Sequence, residues 1–236
     1  MDINEQAQLA WDIIETTNTN LFLTGKAGTG KTTFLRRLKE ESSKRIVVVA
    51  PTGIAAINAE GVTIHSFFQL SFAPFIPDAQ YKLKEQQYRF SKQKIRVIQS
   101  IDTLVIDEIS MVRADLLDAV DSVLRRFRKN QLPFGGVQMV MIGDLGQLAP
   151  VAKDDEWQML SRYYDTPYFF SSIALKSTRY AIVELKTIYR QSDSHFVELL
   201  NRVRDNRADD KVLAALNSRY IPNFQPRVEE GYIRLT

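Results

Sequence analysis

Short apolar runs alternate along the chain with longer stretches in which apolar residues recur three and four positions apart. The runs at 21–24, 46–50, 103–107, 137–143, 181–185 and 232–235 are nearly continuous rather than alternating, which suits strands buried on both faces. The stretches at 4–15, 31–41, 53–60, 92–100, 114–129, 194–205 and 209–219 have helical spacing. Strands interleaved with helices call for crossover connections, so the pattern predicts an α/β fold, a mainly parallel sheet with helices on both faces. One segment, 72–96, breaks the alternation. After two prolines, it interleaves Lys82, Lys84, Arg89, Lys92, Lys94 and Arg96 with Tyr81, Tyr88 and Phe90. Two readings stand: a basic and aromatic path for nucleic acid, or a solvated lysine-rich connecting helix. The chain reads as a single domain over 1–236, with 68–98 as a basic, aromatic insertion. Its last apolar run, at 232–235, leads to the expectation that it is a fragment of a longer protein.

Composition narrows the classes. With 236 residues, 44% of them hydrophobic, the chain can bury a full core. No stretch approaches the ~18 apolar residues of a membrane span, and the polar start MDINEQ is unlike a signal peptide, so a soluble intracellular protein without a membrane partner is expected. The absence of cysteine excludes disulfides and thiolate zinc sites, and two histidines, His65 and His195, are too few for a histidine-built metal centre. Any metal would arrive with a ligand. A net charge of +3 permits a nucleic-acid partner without requiring one.

The most specific chemistry lies at 25–32, GKAGTGKT, which satisfies every position of the phosphate loop G-x-x-x-x-G-K-[ST]. An apolar run precedes it and a helical pattern follows, the strand-to-helix setting in which backbone N–H groups and a helix N-terminus face phosphate oxygens. Gly25, Ala27, Gly28, Thr29, Gly30, Lys31, Thr32 and Thr33 form the expected cradle, with Lys31 on the β/γ-phosphates and Thr32 on Mg²⁺. The run at 103–106 ends in Asp107 and Glu108: the first suits Mg²⁺, the second the deprotonation of an attacking water. The sequence has no Asn-Lys-x-Asp reader of guanine, so ATP is the expected nucleotide. Gln147 leaves another strand end and could sense the γ-phosphate; Arg190 follows the run at 181–185 and could neutralise it or form a surface ion pair. At 50–54, a strand gives way to a helix through Pro51, Thr52, Gly53 and Ile54, placing N–H groups and a hydroxyl where a nucleic-acid phosphate could dock. The cluster of Arg125, Arg126, Arg128 and Lys129 ends a helix, where it complements the helix dipole or contacts DNA.

Taken in order, GKAGTGKT, APTGIAAINAEGVTIHSFF, DEIS, GDLGQLAPV and IYRQSDSHFVELLNRVR resemble the first RecA-like domain of superfamily 1 helicases of the PIF (petite integration frequency) family, relatives of the RecD helicases. The stretch 113–138 also resembles the signature that this family carries between its second and third motifs. The resemblance implies a RecA-like phosphate-loop NTPase fold and an ATP-dependent 5′-to-3′ DNA helicase using ATP and Mg²⁺. It implies a sequence-independent single-stranded DNA partner and a second RecA-like domain beyond this chain, with DNA repair and telomere maintenance as roles. A monomer is expected, cytoplasmic if bacterial, nuclear or mitochondrial if eukaryotic. Residue by residue, Lys31, Glu108, Gln147 and Arg190 take catalytic roles, Tyr189 matches an adenine-stacking residue and Gln8 an adenine-edge reader; a core position is the other reading of Tyr189. Thr63, His65, Ser66 and Phe67 belong with Thr52, Gly53 and Ile54 to the DNA path, with His65 packed under the sheet as the alternative. Leu145, Gly146 and Ala149 depart from the family's aromatic and proline positions, so no base-stacking role carries over to that loop. The lone chain is expected to bind nucleotide with little hydrolysis and no unwinding. Rival readings are a phosphate-loop ATPase acting on protein and a binding module that only holds nucleotide.

Overall fold

The computed structural model describes residues 5–77, 90–187, 189, 194–222 and 224–225. The chain divides into two compact units, Met1–Arg190 and Gln191–Thr236. In the first, β1 (Asn20–Gly25), β2 (Ile46–Ala50), β3 (Val62–Thr63), β4 (Thr103–Ile106), β5 (Gln138–Gly143) and β6 (Tyr180–Leu185) form one sheet in the order β3-β2-β4-β5-β1-β6. All the pairings among them are parallel. Thr24 lies opposite Gly143, Gly25 opposite Leu185 and Val49 opposite Ile106, so the strand ends are aligned along one edge.

The continuous apolar runs are explained by the two faces. Leu21 and Leu23 of β1 point to one core and Phe22 to the other, and β4 and β5 alternate likewise through Val105 against Leu104, and Val140 against Met139. One face is covered by α1 (Glu5–Thr16), through Ala10 and Ile14, and by α2 (Lys31–Glu41), through Phe34, Leu35 and Leu38. The other is covered by α4 (Ile64–Phe68), α5 (Lys92–Ser100), α6 (Ala114–Arg128) and α8 (Ile173–Lys176). Between these lie α3 (Gly53–Asn58) and α7 (Asp154–Leu160). Each fully buried aliphatic side chain contributes about 1.5–3 kcal/mol, and the two cores are large enough to fix the strand ends firmly.

α6 carries three buried acids at successive turns, Asp115, Asp118 and Asp121. Asp115 holds the Arg113 guanidinium through two bonds of 2.8 and 2.9 Å and accepts from the Phe75 N–H at 2.9 Å. Asp118 accepts from the Tyr164 hydroxyl, the Ser172 hydroxyl and the N–H groups of Ile173 and Ala174, all at 2.6–3.0 Å. Asp121 accepts from the Phe134 N–H and pairs with Arg125. Buried carboxylates are tolerated when so satisfied, and here each pins a different loop.

The basic end of α6 has a structural account. Arg128 donates to the carbonyls of Ile98, Gln99, Ile101 and Gly135, closing the C-terminus of α5, and Arg125 reaches Asp121 and the Gln131 carbonyl. Within the basic, aromatic segment, Phe90 packs against Phe127 with ring centroids 4.5 Å apart, which takes it into the core rather than onto a nucleic-acid path. Tyr81, Lys82, Lys84, Tyr88 and Arg89 lie outside the described residues, as does the expected strand at 232–235. In the second unit, α9 (Ser194–Arg204) and α10 (Asp210–Asn217) are joined by Asp209, which caps α10 at Val212 and pairs with Arg202 at 2.8 Å. Among the described residues, no helix is long and apolar enough to cross a membrane.

Candidate nucleotide and nucleic-acid site

All the loops that follow β1, β2, β4, β5 and β6 leave the same edge of the sheet. The connections from β1 and β5 depart in opposite directions, β1 toward β2 and β5 across β1 toward β6. Adjacent strands whose connections diverge open a crevice at their carboxyl ends, the usual ligand position in parallel sheets.

The loop after β1 is built as a cradle. A Cβ on Gly25 would sit 2.7 Å from the Leu185 carbonyl oxygen and 2.6 Å from the Thr29 hydroxyl, so no larger residue fits. Gly30 has φ 92 and occupies the cap position of α2, where it has no side chain to satisfy the first-turn N–H groups. The N–H groups of this turn, which includes Thr32 and Thr33, have no acceptor within the helix and offer an anion site together with the dipole. Thr29 is buried and donates to the Lys26 carbonyl at 2.8 Å, holding the bend; Ala27 is exposed at its tip. The Lys31 ammonium folds back onto the carbonyls of Gly25 and Lys26 at 2.6 and 3.1 Å.

Asp107 and Glu108 follow β4. Burial, then the neighbouring Glu108 carboxylate, push the Asp107 carboxyl up to about 6, with Lys31 acting in the opposite direction. Glu108 has φ 51, in the left-handed region that costs a non-glycine residue of order 1 kcal/mol and is concentrated at functional sites. Two adjacent carboxylates in a partly buried place, one of them held against ionisation, are the donor chemistry that a hard divalent cation relieves. Among the described residues, no group of three or more His, Asp or Glu is arranged to hold a metal; the Asp107 carboxylate and the Thr32 hydroxyl are oxygen donors of the kind a hard divalent cation takes.

The same carboxyl supplies a pH test. The folded state holds the Asp107 proton more tightly than the unfolded chain does, so stability falls as pH rises between about 4 and 6 and stays reduced above that window. The loss is of order 2 kcal/mol. Asp107→Asn is expected to melt roughly 4–8 °C above the unsubstituted chain at pH 8, with the gap narrowing at pH 5. Equal melting temperatures at pH 8 would contradict this account of the site.

After β5, Asp144 is buried, and its carboxylate accepts from the Gly146 N–H at 3.0 Å and the Gln147 side-chain amide at 3.1 Å. Asp144 escaped the sequence reading, although an Asp two residues before a Gly at a strand end is a signal for this type of turn. After β6, the exposed Tyr189 is not a core residue. Its N–H donates to the Gly28 carbonyl at 2.9 Å and its ring lies 3.7 Å from where a Cβ of Gly30 would stand. Gln8, on α1, donates its side-chain amide to Asp12 at 2.8 Å, a bond within its own helix and not to the loop. Arg190 lies outside the described residues.

Farther along the same edge of the sheet, Thr52 follows β2 and Thr63 ends β3. Thr52 caps α3 by accepting from Ala55, and Thr63 caps α4 by accepting from Ser66. A hydroxyl that accepts in this way keeps its proton to donate. Gly53 stands in open space, Ile54 is 76% exposed and Ser66 is exposed. Phe67, by contrast, is buried in the core under the Lys94 ammonium, 3.8 Å from its ring centroid, because the helical turn points it inward; it is unavailable to DNA. His65 is half-buried and stacks on Phe72 rather than packing under the sheet, and burial, then Arg113, push its pKa down, which favours the neutral imidazole.

The chain matches the PIF1-like helicase family model over residues 3–213. It is 38% identical over 198 residues to the ATP-dependent DNA helicase PIF1 of Saccharomyces cerevisiae, covering 81% of this chain and 22% of that protein. It is similar to the crystal structure of a Bacteroides Pif1 helicase in complex with ADP-AlF3 and ssDNA, with TM-score 0.89 and 42% identity, covering 97% of this chain and 52% of that one. A further likeness, TM-score 0.87 and 44% identity over 92% of this chain and 52% of the other, is to a structure of two coordinating Pif1 helicases unwinding forked dsDNA. The chain thus spans about half the length of these solved relatives and less of the yeast protein.

Proposed function

The chain belongs to the PIF1-like helicase family, and from that premise we propose that it is the first of two RecA-like motor domains of an ATP-dependent DNA helicase that moves 5′ to 3′ along single-stranded DNA. The observation that carries this reading is that β4, β5 and β1, neighbouring strands of a parallel sheet, run out at one edge into the segments that carry Asp107 and Glu108, Gln147, and Lys31.

In the proposed reaction, Lys31 leaves the carbonyls of its own loop for the β- and γ-phosphates of ATP, while the N–H groups at the start of α2 hold the same oxygens. Thr32 and Asp107 would hold magnesium, which would neutralise phosphate charge. Glu108 takes a proton from water as the water oxygen bonds to the γ-phosphorus and the bond to the bridging oxygen of ADP breaks. Gln147 turns its amide from Asp144 to the γ-phosphate, and Arg190 adds charge to the same group; both lose their partner on hydrolysis, which reopens the site. Tyr189 and Gln8 are assigned to adenine.

On the DNA side, the hydroxyls of Thr52 and Thr63, the N–H groups near Gly53, and Ser66 hold phosphates without reading bases, so binding is sequence-independent. One copy is proposed to suffice. Alone, without the charge that a second domain adds to the transition state, the chain would hydrolyse slowly, since such an arginine contributes roughly 10³–10⁵ in rate.

The test is phosphate release by the complete protein, alone and with oligo-dT or blunt duplex of equal length. Oligo-dT is expected to raise the rate by roughly tenfold or more above duplex, by completing the site's closure. An identical response to both, or to neither, would reject the single-strand motor in favour of a protein-directed ATPase or a passive nucleotide binder.

A further inference from the structure

The segment after α4 reverses at Gln69, φ 50, and lays Phe72 over His65 with ring centroids 4.6 Å apart and planes at 21°. Phe72 is nonetheless 83% exposed, so its outer face stands in water. A large aromatic held in place by a stack but left bare gains little from burial and presents a whole ring face that a partner could stack on. A cavity of about 320 Å³ adjoins it, walled by Met111, Leu116, Ala119, Ala149 and Val151, with Thr52 on its lining. Its charged members, Arg113 and Asp115, are bonded to each other, and Arg113 also reaches Glu156 at 2.6 Å. Such a wall offers no unmatched charge to a phosphate or carboxylate guest and favours a flat, uncharged one. The loop at 144–151 brings only Ala149 and Val151 to this space; the rings that line it, His65, Phe72 and Phe75, come from a different segment, and of these Phe72 is the exposed one.

We infer that Phe72, braced by His65, is a stacking platform for one unpaired nucleobase of single-stranded nucleic acid, which lies across the mouth of this cavity. The assignment rests on the single-strand path proposed above and adds to it the place where a base, not a phosphate, is held. Every base has a π face, so the platform grips the strand without selecting sequence.

The experiment compares the intact chain with Phe72→Ala and Phe72→Trp, measuring affinity by fluorescence anisotropy for oligo-dT and for an abasic strand of equal length and charge. Phe72→Ala is expected to weaken oligo-dT binding roughly tenfold while leaving abasic binding nearly unchanged. Phe72→Trp is expected to keep the affinity and to lose indole fluorescence when oligo-dT is added. The exposure of Phe72 means that the alanine variant should keep its melting temperature. Equal losses on both strands, or none on oligo-dT, overturn the platform while the single-strand reading stands. Binding of neither strand by the unsubstituted chain overturns both, and would assign the bare ring to a protein partner.

Discussion

Lys31→Ala is expected to reduce ATP turnover by the complete protein by roughly 10²–10³-fold or more, the scale seen when a group aimed at developing charge is removed. The ammonium donates to two carbonyls of its own loop, Gly25 and Lys26. Those carbonyls are solvated if the lysine is lost, so the fold should be little affected. The phosphates, however, lose the charge that no other described residue of the loop supplies except Lys26, whose side chain precedes the bend. Arginine should not restore activity, because a planar fork does not match a place that takes a compact ammonium between two carbonyls. Steady-state phosphate release and nucleotide binding by calorimetry would check this. Unchanged turnover in Lys31→Ala would remove the basis for a nucleotide motor.

The second large effect is expected at Glu108. Glu108→Gln keeps the size of the side chain and its hydrogen-bonding capacity but cannot accept a proton from water, so turnover should fall roughly 10²–10⁴-fold while ATP still binds. It also removes the negative charge next to Asp107, the second cause of the raised carboxyl there, so the Asp107 titration should move down toward the ordinary carboxylate range. This pairing separates a general base from a structural residue. A Glu108 that only supports the turn would leave the rate nearly intact in the glutamine variant, since the backbone at φ 51 tolerates either side chain equally.

What could be read from the chain alone depended on length and on whether one residue's meaning was fixed by its neighbours. The strands β1, β2, β4 and β5 were legible because they are buried on both faces, which leaves a run of Leu, Ile, Val, Phe and Met with nothing polar between. The phosphate loop was legible because two glycines, a lysine and a threonine have to be at fixed spacing to do their work. β3 has only two residues and α4 only five, too short for any periodicity to register. α7 and α8 escaped for the same reason. Single side chains at the site were harder. Gln147 was found by its position after a strand, but the buried Asp144 that holds its amide was not, because that contact depends on a turn rather than on spacing. Phe67 and Phe72 look alike in sequence, yet one lies in the core and the other is bare. A left-handed residue at Gln69 divides them, and nothing in a glutamine announces it. The arginines at the end of α6 gave a charge cluster to the eye, while in space two of them close off other chain segments.

The three acids of α6 have a mechanical consequence. A helix clamped at one turn can roll, and one clamped at two can pivot. Asp115, Asp118 and Asp121 fasten three separate segments, near Phe75, Ile173 and Phe134, to one rod. Any displacement of that rod would have to tear several buried hydrogen bonds to carboxylates at once, so the body beneath the crevice should behave as a stiff strut that passes load without deforming, leaving compliance to the short loops at the sheet's rim.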